Sequence, residues 1–441
     1  MEDKFIQGFS KLSKEQKLKI ISDRLVDDTD FLTELNSLNH RNPEVQLMLE
    51  QFSENTLGNF PLPYGVAPNF LINGRYFTVP MVTEESSVVA AAASAARFWS
   101  EKGGFHASVK NTTKVGQIHF CLHGESAALI NSLDELKVYL EENSRHLTRK
   151  MTERGGGLRE IELIDLTEFL DNYYQLRIGF ETADSMGANF INSVLEEMSS
   201  LMKIFFSRIS ESGVEKEDLE IIMSILSNYT PDCVVECFIE APFSSLSTIH
   251  EGFSGEEFAR RFKLAVDIAS VDPFRAVTHN KGIFNGIDAV VLATANDFRA
   301  VEAAGHAYAS RSGKYRSLSR VELRDDVFRM SLKLPIAVGT VGGLTSLHPL
   351  AKWSFEILGK PDARELMMII ASAGLASNFA AIRSLITHGI QKGHMKMHLG
   401  NILSVLGASA EERATALGYF ENHTVSYRDV EQFLNKQRGG Q

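Results

Sequence analysis

Cysteine is scarce: three residues in 441, at Cys121, Cys233 and Cys237. A disulfide framework normally shows more of them, in even number, so a cross-linked secreted scaffold is excluded. Cys233 and Cys237 stand four apart in a segment that reads as a strand, where they count as small apolar residues. No Cys/His cluster has zinc-ligand spacing, so no metal site is expected. The N-terminus, Met-Glu-Asp-Lys-Phe, has no basic region followed by an apolar core, and so does not read as a signal peptide. Long apolar runs are missing too. The longest small-sided run, Val88 to Ala96, is too short to cross a bilayer and is interrupted by Ser94 and Arg97. Positive charge is in deficit, with 45 Lys and Arg against 56 Asp and Glu and a formal net charge of -11. That balance argues against general binding to a nucleic-acid backbone, though not against a local basic pocket. Together the absences predict a cytoplasmic protein with neither membrane nor nucleic acid as partner.

What is present is an ordinary globular composition, 44% hydrophobic and 23% charged, in a chain long enough for two or three domains. Ser13 and Gln16 form a capping box ahead of an amphipathic helix, and helical signals continue to about Phe52. The stretch from Glu54 to Pro80 holds Pro61, Pro63, Pro68 and Pro80, four of the eleven prolines, and reads as a long loop. From about residue 110 the periodicity changes. Ile118, Phe120 and Leu122 alternate as in a strand, and Ser132 and Glu135 offer a second capping box for a helix through Leu140. Leu158 to Leu166 and Tyr173 to Thr182 read as strands, and about Ser185 to Ile209 as a long helix. The next strand is Val234 to Ala241. The order is the β-α-β-β-α-β of ferredoxin-like units, with the membership of that last strand open. Beyond it, Glu256 to Ser270 reads as a helix and Ala289 to Ala293 as a buried strand. Val321 to Leu334 gives one or two strands, and Pro361 to Asn378 a helix.

Four segments carry groups suited to chemistry. In Thr83-Glu84-Glu85-Ser86-Ser87, two carboxylates stand before the alanine-rich run, where capping is the structural alternative. In Arg275-Ala276-Val277-Thr278-His279-Asn280-Lys281-Gly282-Ile283-Phe284-Asn285, an arginine suits a carboxylate through a two-pronged contact. The lysine suits a developing oxyanion. In Ala293-Thr294-Ala295-Asn296-Asp297, the aspartate is placed after the expected strand, where ligand sites gather, and serves equally as a helix cap. In Gly393-His394-Met395-Lys396-Met397-His398, a histidine beside a glycine suits a general acid on a flap, with His398 as its rival. Two small-sided segments suit a bound nucleotide. Asp184-Ser185-Met186-Gly187-Ala188-Asn189 opens the long helix, whose N-terminus favours phosphate. Gly339-Thr340-Val341-Gly342-Gly343 is a second glycine loop. Neither follows the G-x-G-x-x-G pattern of a Rossmann domain.

In order and spacing, these motifs resemble the 3-hydroxy-3-methylglutaryl-CoA reductases of the soluble bacterial class II, through nearly the whole chain. Glu54-Asn55-Thr56-Leu57-Gly58 belongs to the same likeness, as the segment near the dimer interface and the CoA entrance. The resemblance implies two hydride transfers to one thioester carbon, giving mevalonate and free coenzyme A by way of mevaldehyde. It implies Lys281 for the oxyanion, Asp297 to hold that lysine, and His394 to protonate the departing thiolate. It implies Glu85, rather than its neighbour Glu84, as the acid of aldehyde reduction. Arg275, Ser87 and Asn285 become substrate contacts. Asp184, Met186, Gly187, Asn189, Gly339 and Gly342 become cofactor contacts, and a homodimer with shared active sites is implied. Two departures stand out: Ser185 where alanine is usual, and Ser86 where proline is common.

The expected fold is therefore α+β. A large mixed α/β domain, 1–109 and 221–388, carries an inserted ferredoxin-like cofactor domain, 110–220, and a small C-terminal helical flap, 389–441. The basic segment Arg145 to Lys150 has no carboxylate until Glu153, so Arg149 and Lys150 are expected to favour NADPH over NADH. Two rivals remain at this level. One is the same catalyst oxidising mevalonate. The other is a CoA-thioester-binding protein without redox activity, which would be expected to lack a reacting group.

Overall fold

The computed structural model describes residues 5–25, 30–124, 126–208, 218–249, 252–387, 399–420, 423 and 425–439. Residues 1–63 form one compact unit and residues 64–441 another. The first holds helices α1 (Lys14–Ser22), α2 (Phe31–Ser37) and α3 (Pro43–Glu50). The capping box expected at Ser13 and Gln16 is formed in both directions. Pro43 starts α3 where its missing N–H costs nothing, behind an Asn42 side-chain cap. Gly58 lies so close to α2 that a Cβ there would stand 2.6 Å from Leu35 Cδ1.

The second unit opens with a hairpin, β1 (Tyr64–Ile72) and β2 (Arg75–Val82). The sequence reading made this stretch a loop because of its prolines. A two-stranded ribbon has only edge strands, and edges tolerate proline. Pro68 falls in the register shift between Ala67 and Phe70, and Pro80 pairs with Val66. Helix α4 (Val88–Ser100) and the short β3 (His106–Val109) follow.

Next come β4 (Lys114–Leu122), α5 (Ser126–Asn131), α6 (Leu133–Asn143), α7 (Arg145–Thr152), β5 (Gly157–Asp165), β6 (Tyr173–Glu181), α8 (Ala188–Arg208) and β7 (Leu219–Ser227). Their sheet runs β5-β6-β4-β7, antiparallel throughout, as the ferredoxin-like order requires. Its own core gathers Phe120, Leu176, Phe180, Leu195, Met198 and Phe206. The closing strand, Leu219–Ser227, is one the sequence reading missed. The expected box at Ser132 is not formed either: its hydroxyl turns back to the Ala128 carbonyl, 2.7 Å away.

The chain continues through β8 (Val234–Pro242), α9 (Gly255–Val271), α10 (Pro273–Ala293), α11 (Phe298–Ala309), β9 (Ser319–Arg324), β10 (Val327–Pro335), α12 (Leu344–Leu347), α13 (Pro349–Ile357) and α14 (Ala363–Ile386). A second sheet, β3-β8-β10-β9, places Val234–Pro242 outside the ferredoxin-like unit. Its core includes Trp99, Phe262, Phe328 and Phe379; Trp99 meets Phe379 edge-on at 5.1 Å. Cys233 and Cys237 are buried, and all three cysteines are free.

Ala289–Ala293, read as a strand, is the last part of α10. A short apolar run does not distinguish a buried strand from a buried helix. Here α10 is wedged between helices. A Cβ on Gly286 would stand 2.3 Å from the Ala373 carbonyl oxygen of α14, and one on Gly305 of α11 would stand 2.4 Å from Phe284 Cζ of α10. Helix α14 alone, among the described residues, has the length and hydropathy of a membrane span, yet 83% of its most apolar window is buried inside the protein. The helices Ala410–Tyr419 and Tyr427–Arg438 share a third cluster with Leu399, Leu403 and Phe420. His394 and His398 lie outside the described residues.

Candidate active site

Helix α10 supplies most of the polar groups. Asp272 caps it, its carboxylate accepting the Phe274 amide at 3.1 Å, and Pro273 takes the first position. His279 and Asn280 are buried and act as anchors. The His279 ring meets Ser319 Oγ at 2.7 Å and Ser317 Oγ at 2.9 Å. Asn280 donates to the Arg316 carbonyl and accepts the Leu318 amide. Burial, with Arg275 nearby, pushes the His279 imidazole down to about 3, so it stays neutral. These anchors turn the next residue, Lys281, outward: its side chain is 59% exposed.

Lys281 Nζ pairs with the Glu85 carboxylate, which arrives from the turn between β2 and α4. The sequence placed Glu84 and Glu85 at the entrance of the alanine-rich helix. They stand just before it, and the N-cap is Ser87, with a left-handed φ of 79° and no side-chain cap bond. The Glu85 amide is held by Thr83 Oγ1 at 3.2 Å. Glu84 instead acts on Asp288 of α10, two turns beyond Lys281. Burial pushes the Asp288 carboxyl up to about 8, reinforced by Glu302 of α11 and by Glu84.

Arg275 and Asn285, also on α10, are half-buried, and burial lowers the Arg275 guanidinium below its usual range. Asp297 differs from expectation. It is the N-cap of α11, after a helix rather than a strand, and accepts the amides of Arg299 and Ala300 at 3.0 and 3.2 Å. Its ion-pair partner is Arg299, gripped through two bonds of 3.1 and 3.0 Å, and not Lys281.

The two glycine segments meet. Thr340 N–H donates to the Asp184 carbonyl at 2.8 Å, Ser185 bridges to Val341, and Asp184 Oδ1 accepts the Ala363 amide at 2.9 Å. Gly187 has φ +88°, and a Cβ there would lie 2.4 Å from Thr182 Cγ2. A Cβ on Gly339 would lie 2.4 Å from the Met186 nitrogen, whereas Gly342 faces open space. Asn189 is exposed in the first turn of α8. Asn296, beside Asp297, accepts the Gly339 amide at 2.8 Å. Arg149 lies in the last turn of α7 and pairs with Glu153 at 3.5 Å; Lys150 is exposed. Three residues of this arrangement went unremarked in the sequence: Asn296, Thr182 and the buried Lys114 beneath it. Asn296 lay inside a motif already singled out, but nothing marked the other two.

A family model for hydroxymethylglutaryl-coenzyme A reductase matches residues 14–399. The chain belongs to this family. A 3-hydroxy-3-methylglutaryl-coenzyme A reductase of Archaeoglobus fulgidus is 36% identical over 411 residues, covering 92% of this chain and 88% of its own. A solved class II 3-hydroxy-3-methylglutaryl-CoA reductase from Streptococcus pneumoniae, bound to NADPH in open conformations, is 35% identical. It covers 97% of this chain and 100% of its own, with a TM-score of 0.70. A second structure from that organism covers 98% and 99%, with a TM-score of 0.71. Hydroxymethylglutaryl-CoA reductases are NAD(P)H-dependent oxidoreductases, and the mixed helix-and-sheet fold agrees with the class II structures.

Proposed function

We propose that this chain reduces 3-hydroxy-3-methylglutaryl-CoA to mevalonate and free coenzyme A at the site centred on Lys281. The observation that carries this reading is the contact of Lys281 with Glu85, brought together from 196 residues apart on a helix that also bears Arg275 and Asn285. The nicotinamide nucleotide supplies the hydride for each of two reductions. Arg275 grips the substrate carboxylate, and Ser87 and Asn285 orient the chain of the substrate. Lys281 stabilises the oxyanion formed at the thioester carbonyl and again at the aldehyde. Its partner Glu85 returns a proton to the alkoxide in the second reduction. His394 protonates the thiolate, which keeps it from re-adding to the aldehyde. Asp297 contributes a fixed negative charge at the head of α11, and reaching Lys281 directly requires it to release Arg299.

The nicotinamide nucleotide is assigned to the turn at Asp184, Met186, Gly187 and Asn189 together with Gly339 and Gly342, because that turn opens the N-terminus of the long helix α8 and space is open at Gly342. Arg149 and Lys150 favour NADPH over NADH through the 2′-phosphate. The working protein is a cytoplasmic homodimer with shared sites, organised as a large domain, an inserted small domain that begins near 110 and runs on through β7 (Leu219–Ser227), and a C-terminal flap from 389. Strongly exposed apolar side chains at Val271, Phe274 and Trp353 support a partner surface.

The test follows nicotinamide absorbance with purified protein and 3-hydroxy-3-methylglutaryl-CoA. Two equivalents of NADPH oxidised per mevalonate formed is the expected result. No oxidation of either NADPH or NADH overturns the reading.

A further inference from the structure

Lys114, the first residue of β4, is only 3% exposed. Its ammonium donates to Thr182 Oγ1 and to the Ser185 carbonyl oxygen, the latter at 3.2 Å. Thr182 Oγ1 donates to the same Ser185 oxygen at 2.6 Å, and Ser185 Oγ donates back to the Thr182 carbonyl at 2.9 Å. A buried cation thus stands directly under the turn that leads into Gly187. The other side of that turn is held by Thr340 on the Asp184 carbonyl and by the Ala363 amide on Asp184 Oδ1. Gly339, in the facing segment, is tied in turn to Asn296. A continuous run of hydrogen bonds therefore joins the small sheet, the turn and the residue beside Asp297.

We propose that Lys114 is a positioning residue for the nicotinamide nucleotide: it fixes the Thr182–Met186 turn from below and so sets the surface against which the nucleotide is held. The inference rests on the reading of that turn as the cofactor wall. Burying an ammonium is costly unless it is hydrogen-bonded, and here its bonds go to one turn. Burial pushes the Lys114 ammonium below its usual range, while Cys233, Glu181 and Asp184 oppose that shift. A lysine kept for packing alone would need no such geometry, because an apolar side chain of its length fills the same space. Without the ammonium, Thr182 and Ser185 keep their mutual bonds, so the turn remains but loosens.

The experiment titrates NADPH into the full-length protein without substrate, following nicotinamide fluorescence, and measures KM values separately. Lys114→Met removes both hydrogen bonds from the ammonium to the turn and is expected to raise the Kd for NADPH about tenfold. The KM for 3-hydroxy-3-methylglutaryl-CoA should stay put, while the melting temperature reports separately the stability lost with the buried bonds. Lys114→Gln, which keeps a donor, should recover part of the affinity, and it carries the same measurement where the methionine variant does not fold. An unchanged NADPH Kd in the folded variant overturns the positioning role, as does an equal rise in both KM values. Gly187→Val separates the two levels. If it leaves the NADPH Kd unchanged, the turn is not the cofactor wall and both readings fall. If it weakens binding and Lys114→Met does not, only the role of Lys114 falls.

Discussion

The lysine site and the nucleotide turn are built by opposite means. At Lys281 the working parts are side chains, displayed on α10 because His279 and Asn280, the two residues before it, are locked into the core. At Gly187 and Gly339 the working part is backbone, brought close because side chains are missing. The first kind of site tolerates small movements of the backbone as long as the charged tips still meet. The second tolerates almost none, since one added carbon collides with Thr182 or with the Met186 nitrogen. The proposed chemistry is therefore placed where reach is adjustable, and the proposed nucleotide contacts where shape is fixed.

The largest effect that breaks this contrast should come from Lys281→Ala. It should lower both reductions by about 10²–10³-fold or more, with circular dichroism unchanged. Turnover within tenfold of the parent would mean that the oxyanion is held elsewhere. Next, Glu85→Gln should cost about 10²-fold in aldehyde reduction, the usual worth of a positioned acid, while Glu84→Gln should cost little. Mevaldehyde as substrate isolates that step, and the reverse ranking would move the acid to Glu84. Smaller still, Arg149→Ala with Lys150→Ala should raise the KM for NADPH about tenfold and leave that for NADH nearly unchanged. Equal changes would remove these residues from phosphate recognition.

The last expected effect is on stability rather than on turnover. Asp288 has its folded value raised to about 8 from 3.8. A raised acid favours the fold fully below the unfolded value, and that contribution is lost as pH rises through the folded one. Relative to Asp288→Asn, the parent should lose stability from about pH 4 to about pH 8, by at most about 1.4 kcal/mol per unit, and run parallel above it. Melting curves at pH 5, 7 and 9 measure the gap, and a constant gap would show that the carboxyl is not protonated in the fold.

The same division explains what was legible in the sequence. Charged and amide groups at motif spacing pointed to Lys281, Glu85, Arg275 and Asn285, and the alternation of Ile118, Phe120 and Leu122 with the runs over 158–166 and 173–182 marked three strands of the small sheet. Glycines announced that a close approach exists, but not what approaches. Thr182 and Lys114 carried no mark, because a threonine at a strand end and a lysine at a strand start are common. The Ala289–Ala293 error has a similar root. Whether an apolar run is strand or helix was decided by α14, whose Ala373 presses against Gly286 from far along the chain. The β1–β2 ribbon hid behind prolines that only an edge permits, and Asp297 was assigned to Lys281 when its neighbour Arg299 was the nearer cation.

Helix α14 has one further consequence. It lies against α10 with no room for a methyl group at Gly286, so the two behave as a single beam, and the beam carries Lys281 partway along its length. His394 follows the last residue of α14, Ile386, by only eight positions. At about 3.3–3.6 Å per residue, that tether is no longer than about 29 Å. Lysine and histidine are thus anchored to one common origin. A substitution that shifts the beam therefore moves the lysine and the histidine's anchor together, relative to Glu85, which arrives from outside it.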